Sequence, residues 1–303
     1  MTTVENGLAD IAQPDGTFAI VALDQRNTLR RMFTAADQYV DDAVLRAFKG
    51  DVIGGLSPSA SGLLVDPDFG VPAALADGNL AAGAGLAVAA EPSERGKFGD
   101  EPLTRREPSQ NARWVRGMGG HAVKFLVQLR ADRDRELGGR DVSAEAFDAT
   151  AHVVADCRAE GVPSVIENLI YRLPGEQELP SDARADAIVA AASMLNDLKP
   201  DLLKLEYPGS AAACRRIAEA VTVPWVVLSA GVGFEEFQET LRISCDEGGA
   251  SGFIAGRAFW KDAVELEPSQ RRTFLGDTAR RRLDACVAAI DGRATPWTSI
   301  VTH

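Results

Sequence analysis

"DLLKLEYP", residues 201–208, reads as a buried strand broken by one charge. Leu202, Leu203 and Leu205 are apolar, yet Lys204 stands among them, where removing an ammonium from water is unfavourable. The composition sharpens the point. Of 32 basic residues only six are lysines, so arginine is the general surface cation. Two of those six, Lys204 and Lys124 in "HAVKFLVQL" (121–129), sit inside apolar runs. A lysine can lose its proton and become a nucleophile, which an arginine cannot do in a protein.

Outward from this run the chain alternates β-like and helical stretches. The other β-like runs are "TFAIVAL" (17–23), "SGLLVD" (61–66), "GAGLAVAAE" (83–91), "HAVKFLVQL", "PSVIENLIY" (163–171), "PWVVLSAG" (224–231) and "SGFIAGRA" (251–258). Between them lie stretches with apolar residues at helical spacing, among them "SAEAFDATAHVVADCRAEG", "SDARADAIVAAASMLNDL" and "GFEEFQETLRISCDEGG". A last one, "PSQRRTFLGDTARRRLDACVAAIDG", is expected to pack outside. Helices between eight nearly continuous apolar strands predict an α/β fold with a parallel sheet closed into a (β/α)8 TIM barrel. The alternative is an open doubly wound sheet, but "ALDQRNT" lacks the Gly-rich first turn such sheets usually carry. No linker or low-complexity break interrupts the pattern. The expectation is one domain over 1–303, with the barrel at about 17–262 and C-terminal helices at about 263–292.

Each strand ends on or near a polar residue: Asp24, Asp66, Glu91, Lys124, Glu167, Lys204, Ser229 and Arg257. In a barrel these ends converge on one mouth, where such folds place their chemistry. Singly, Asp24 or Asp66 could be an N-cap, and Lys124 with Glu167 a buried ion pair. Together they predict a shared site. Two lysines and a glutamate on successive strands suit imine chemistry: Lys204 as nucleophile, Lys124 as a cation that helps it stay neutral, and Glu167 moving protons. The competing explanation is a Lys–Glu–Lys ion network that only closes the barrel. "LSAGVG" (228–233) and "IAGRAFW" (254–260) end the last two strands and resemble a barrel phosphate cradle, with Gly231, Gly256, Ser229 and Arg257 as its contacts. Gln25 and Arg26 in "DQRNTLRR" form a second cationic patch, whereas Arg30 and Arg31 read as solvated helix residues. The loop "EPSERGKFGDEPLTRREP" (91–108) is either a lid or a plain surface loop.

The rest of the composition narrows the function. A formal charge of −12 with no basic stretch excludes nucleic acid as the expected partner but leaves a small anionic substrate open. No apolar run reaches the roughly 18 residues of a membrane span. "MTTVENGLADIAQPDG" is polar and acidic, unlike a signal peptide. Cys157, Cys214, Cys245 and Cys286 are scattered, and read as reduced, buried residues of a cytoplasmic protein. Only three histidines occur: His121 is read at a strand edge, His152 on a helix face, and His303 is terminal. A His-rich metal centre and a His-dependent triad are therefore not expected. Trp114, Trp225, Trp260 and Trp297 show no stacking period and read as core or interface.

"FAIVALDQRNTLRRMF", "LLVDPDFGVP", "AVKFLV", "DLLKLEYP", "PWVVLSAGV" and "GASGFIAGRAFW" together resemble the class I aldolases of the tagatose 1,6-bisphosphate aldolase group, which includes the sulfofructose-phosphate aldolases. The match runs from about 17 to 262 in the family's order. The resemblance implies that Lys204 is the Schiff-base lysine and Glu167 the acid/base carboxylate, with Lys124 and Asp24 as the polar pair beside them. It implies that Ser229 and Arg257 hold the C1 phosphate, and Gln25 and Arg26 the far anionic end of the sugar. Asn27 departs from the Gly or Glu that more often follows "DQR", and the link after "KLEYP" is short for a tagatose enzyme. "PWVVLS" and "GASGFIAGRAFW" are closer to the sulfosugar branch and "DPDFGVP" to the tagatose branch, with the balance toward the sulfosugar.

The expected activity is reversible retro-aldol cleavage of a ketohexose 1-phosphate with an anionic C6 group. The products would be dihydroxyacetone phosphate and a three-carbon aldehyde. Neither metal nor organic cofactor is needed, because the lysine supplies the electrophile, and a homo-oligomer is expected. A phosphosugar-binding barrel without catalysis would need neither Lys204 nor Glu167. An isomerase or epimerase on the same fold would need no covalent lysine.

Overall fold

The computed structural model describes residues 7–300; residues 1–6 of the polar N-terminal stretch and the terminal His303 lie outside the described residues. Each β-like run contains one strand. They are β1 (Phe18–Leu23), β2 (Gly62–Val65), β3 (Gly85–Ala89), β4 (Ala122–Val127), β5 (Ser164–Asn168), β6 (Leu202–Leu205), β7 (Trp225–Val227) and β8 (Gly252–Ala255). β1 pairs in parallel with both β2 and β8, so the sheet closes in the order β1-β8-β7-β6-β5-β4-β3-β2. An open doubly wound sheet would leave β1 and β8 unpaired.

The period-two alternation of a strand explains two apolar layers. Ile20, Ala22, Leu64, Ala87, Ala122, Val165, Leu202 and Ile254 form one cluster along the barrel axis. Their strand neighbours, such as Val21, Leu63, Leu86, Val123 and Leu203, pack outward against the helices. At the N-terminal end of the strands, Leu8 and Ile11 of the single turn Gly7–Ile11 join the axial cluster and stopper it. Ser61 Oγ donates 2.8 Å to the Ile11 carbonyl and fixes that turn. The sequence reading gave this segment no structural role, because five residues are too few for a periodicity to show.

The helices begin and end where their caps dictate. In α1 (Asn27–Ala35) Leu29 and Phe33 are buried, and in α2 (Asp42–Leu56) Asp41 accepts the Val44 N–H at 2.8 Å. α3 (Ala112–Gly117) is capped by Asn111. α4 (Val142–Glu160) starts on Asp141 and stops at Gly161, whose φ of 65° suits a residue without Cβ. α5 (Ser181–Asn196), α6 (Ala211–Ala220) and α7 (Phe234–Gly248) follow β5, β6 and β7, and the short α8 (Arg257–Trp260) follows β8. α9 (Pro268–Phe274) and α10 (Arg280–Ile290) lie outside the barrel and bury Leu283, Cys286 and Ile290. No helix among the described residues is long and apolar enough to cross a membrane.

Two findings concern the connections. Lys49 of α2 is wholly buried, a third interior lysine that the sequence reading passed over. Its ammonium donates to the carbonyls of Leu23 (2.7 Å) and Gln25 (2.9 Å) and pairs with Asp66, which is equally buried. Asp66 also accepts the N–H groups of Asp68, Phe69 and Gly70. The loop after β3 carries a small hairpin, Lys97–Phe98 against Glu101–Pro102. It is fastened at its middle: Arg133 grips Glu101 through two bonds of 2.6 and 2.9 Å, and the Tyr171 hydroxyl adds a third at 3.1 Å. Glu101 and Arg133 are both buried.

Candidate active site

The axial series of side chains turns polar as it approaches the C-terminal ends of the strands. Counting by two from the apolar layer, Ala22 leads to Asp24, Ala87 through Ala89 to Glu91, Ala122 to Lys124, Val165 to Glu167 and Leu202 to Lys204. Glu167 and Lys204 are register partners on adjacent strands, which sets their side chains beside each other. Lys204 Nζ lies 2.8 Å from one Glu167 oxygen, and Lys124 Nζ lies 2.9 Å from the other. Lys124 also contacts Asp24 at 2.8 Å and Glu91 at 2.6 Å. The second oxygen of Glu91 accepts the Leu126 N–H at 3.1 Å, which fixes that carboxylate in place.

Two ammonium groups thus share three carboxylates. Burial alone pushes the Asp24 and Glu167 carboxyls up, but the Lys124 and Lys204 charges outweigh it and hold both below the usual carboxylate range. Burial also disfavours the Lys124 ammonium, yet Asp24, Glu167 and Glu91 reverse this and hold its pKa well above the usual lysine value. Its charge is balanced by three anions and is directed at them, not at Lys204. Lys124 thus contacts three carboxylates and Lys204 one.

These groups floor a cavity of about 620 Å³. Asp24, Gln25, Arg26, Lys124, Glu167, Lys204, Ser229, Gly256 and Arg257 line it. Asp66 does not, because Lys49 draws it away from the mouth. At the β7 end, Ala230 and Gly231 adopt consecutive positive φ values of 48° and 86°, the first a strained conformation for a residue with a Cβ. A Cβ on Gly231 would come within 3.1 Å of the Arg257 guanidinium carbon, so the glycine lets that group lie against the turn. At Gly256 a Cβ would fall 1.9 Å from the Ala22 carbonyl oxygen. The β8 turn therefore packs against β1 as only glycine permits.

Arg26 lines the cavity, but its guanidinium is engaged. One nitrogen donates to Asp68 at 3.1 Å and another to the Glu91 carbonyl at 2.9 Å. Gln25 presents a buried amide oxygen with no partner. Arg31, expected as a solvated helix residue, also borders the cavity, as do Arg95, Gln128 and Glu206. Glu206 accepts the Ile170 N–H at 2.7 Å and pairs with Arg184, while burial raises its pKa. His121 Nδ1 accepts the Leu86 N–H at 3.0 Å and His152 bonds back along α4; neither borders the cavity. All four cysteines are buried and unpaired, and Trp225 and Trp260 are core residues. Missing from the sequence-based set were Arg95, in a loop that no periodicity could place, and Gln128, which counting by two from Lys124 along "HAVKFLVQL" would have pointed inward. Glu91 stood among the strand ends without a role, though counting by two from Ala87 would have pointed it inward.

The closed barrel gathers buried lysines and carboxylates at the mouth where such folds place their chemistry. The pattern of the DeoC/LacD family aldolases matches residues 18–262. The tagatose 1,6-diphosphate aldolase 2 of Streptococcus pyogenes serotype M3 is 29% identical over 324 aligned positions, covering 94% of each chain. The tagatose 1,6-diphosphate aldolase of Lactococcus lactis subsp. lactis is 29% identical with 97% of each chain covered. The crystal structure of an archaeal fructose 1,6-bisphosphate aldolase superposes with a TM-score of 0.64 at 17% identity, over 96% of this chain and 100% of that one. The chain belongs to the DeoC/LacD family and is an aldolase.

Proposed function

We propose that this aldolase works through a Schiff base on Lys204 and reversibly cleaves a ketohexose 1-phosphate whose C6 also carries an anion. The observation that carries the proposal is the contact of 2.8 Å between Lys204 and Glu167, with Lys124 holding the other Glu167 oxygen. Glu167 accepts the Lys204 proton, and the neutral amine adds to the C2 carbonyl. Protonated Glu167 returns that proton to the carbinolamine hydroxyl, water leaves, and an iminium and an ionised Glu167 remain. A base, for which ionised Glu167 is best placed, then removes the C4 hydroxyl proton. The C3–C4 bond breaks and its electron pair passes through C2 to the iminium nitrogen, so the aldehyde leaves and an enamine remains. Protonation at C3 and addition of water release dihydroxyacetone phosphate and regenerate the amine. Lys124 keeps Asp24 ionised and favours the return of Glu167 to its ionised form after each proton transfer.

Ser229 and Arg257 are proposed to hold the C1 phosphate, and the Gln25 amide oxygen to accept a sugar hydroxyl. The relatives named above act on a tagatose bisphosphate, so tagatose 1,6-bisphosphate and 6-deoxy-6-sulfofructose 1-phosphate should be compared side by side. Borohydride added with dihydroxyacetone phosphate is expected to inactivate the enzyme and leave a reduced adduct on Lys204, whereas EDTA leaves the rate unchanged. An adduct mapped to Lys124 would reverse the roles of the lysines. No adduct, with inhibition by EDTA, would refute the imine mechanism.

A further inference from the structure

We propose that Arg95, in the loop after β3, receives the anionic group at the far end of the ketose and determines specificity for a substrate with two anionic ends. The inference rests on the aldolase mechanism proposed above and departs from the assignment of that group to Arg26. Four guanidinium groups border the cavity: Arg26, Arg31, Arg95 and Arg257. Among the described residues only Arg26 has a carboxylate within 4.0 Å; no Asp or Glu oxygen comes that near the other three. The chain carries 44 acidic side chains against 32 basic ones, so unpaired arginines gathered around one cavity mark a place for a mobile anion.

Position in the barrel separates the three. In a closed ring of eight strands β3 lies opposite β7, and β4 opposite β8. Ser229 and Arg257 follow β7 and β8, so the groups across the mouth from them follow β3 and β4. Those groups are Arg95 and Gln128, both bordering the cavity. Lys204 and Glu167, on β6 and β5, stand between the two sides. Arg26 follows β1, the direct neighbour of β8, and although its guanidinium reaches toward β3, it is engaged there by Asp68 and the Glu91 carbonyl.

Arg95 is also poised for a ligand. Among the described residues its one side-chain hydrogen bond is a long one, 3.3 Å from Nη2 to the Gln128 amide oxygen, and its buried Nε has no partner. The loop that carries it is held in place by Glu101 with Arg133 and by the Gln128 N–H on Thr104 at 2.8 Å. Asn27 bonds Ser93 at 3.3 Å and ties the start of α1 to the same loop. Arg31 follows Asn27 by four residues, on the same helix face. A guanidinium presented on a fastened loop loses little freedom on binding.

The test compares tagatose 1,6-bisphosphate with tagatose 1-phosphate, which lacks the far anion, in the wild type, Arg95→Ala and Arg26→Ala. Losing a charged hydrogen bond is expected to lower the ratio of kcat/KM for the bisphosphate over the monophosphate about ten- to hundred-fold in Arg95→Ala. Arg95→Lys should recover part of that ratio, and thermal melts should show the variants folded. An unchanged ratio in Arg95→Ala overturns the subsite, as does a larger fall in Arg26→Ala. A wild type that cleaves neither ketose and gives no borohydride-reducible adduct overturns the underlying mechanism instead.

Discussion

Replacing Lys124 with methionine keeps most of the side chain's length and removes its charge. Asp24, Glu91 and Glu167, at 2.6–2.9 Å from the ammonium, would then face one another with only Lys204 as counter-charge. Removing one partner of a buried ion pair typically destabilises by about 3–5 kcal/mol, because the remaining charge is left uncompensated. With an unfolding entropy of about 2.1 cal/mol/K per residue, a chain of 303 residues shifts its Tm by about 1.6 °C per kcal/mol. The loss at pH 7.5 should therefore be about 5–8 °C. In the wild type, Asp24 and Glu167 titrate below the unfolded-state values, so the stability they contribute is present above about pH 4 and is lost as the pH falls further. In Lys124→Met the folded-state values rise above the unfolded ones. The penalty is then largest at neutral pH and is relieved as the carboxyls take up protons. Melts followed by circular dichroism at pH 7.5 and pH 5, at one ionic strength, should show the gap between variant and wild type narrowing on acidification. A gap under about 2 °C at pH 7.5, or one of equal size at both pH values, would refute the claim that Lys124 is the counter-ion of this cluster.

Other perturbations test separate parts of the site. Gly256→Ala forces a Cβ to 1.9 Å from the Ala22 carbonyl and 2.8 Å from the Trp260 indole nitrogen. No rotamer can relieve a clash with backbone, so a loss of at least about 3 kcal/mol, or about 5 °C in Tm, is expected in a thermal melt. Arg257→Ala should raise KM about ten- to hundred-fold with a smaller effect on kcat, because a remote phosphate contributes mostly uniform binding. Its melting temperature should stay near that of the wild type, since no carboxylate in the described residues depends on that guanidinium; an unchanged KM would remove Arg257 from the site. Lys204→Arg keeps the charge but cannot become a neutral nucleophile, so cleavage and borohydride trapping should both vanish.

The barrel was legible because strands buried on both faces leave near-continuous apolar runs, and eight such runs alternating with helices have few other solutions. The polar floor of the cavity was legible for a related reason. A charge inside an apolar run, as at Lys124, Glu167 and Lys204, is too unfavourable to stand there without a partner or a task. Side chains that reach the cavity from irregular loops left no such mark. Arg95 sits in a stretch where Glu94, Lys97, Asp100, Arg105 and Arg106 are also charged, and only the closed ring of strands distinguishes it from them. Lys49 escaped notice for the opposite reason: one polar residue in an amphipathic helix reads as solvent-facing, whereas it reaches inward to two carbonyls and Asp66.

The proposed division of labour between Lys124 and Lys204 rests on contacts that their sequence surroundings do not show. Both lie mid-strand among apolar neighbours, and both contact Glu167. What separates them is the company contributed by other strands: Asp24 from β1 and Glu91 from β3 close on Lys124 alone. A lysine gripped by three carboxylates is stabilised as an ammonium and cannot readily supply a lone pair. One that shares a single carboxylate can hand its proton to that group and attack. Since Glu91 is one of the two anions that contact Lys124 and not Lys204, Glu91→Gln should weaken that hold while leaving Lys204 paired with Glu167. Borohydride trapping in Glu91→Gln is then expected still to map to Lys204, with any new adduct appearing on Lys124. Trapping confined to Lys204, with the Tm and kcat of the wild type, would show that Asp24 and Glu167 suffice to fix the role of Lys124.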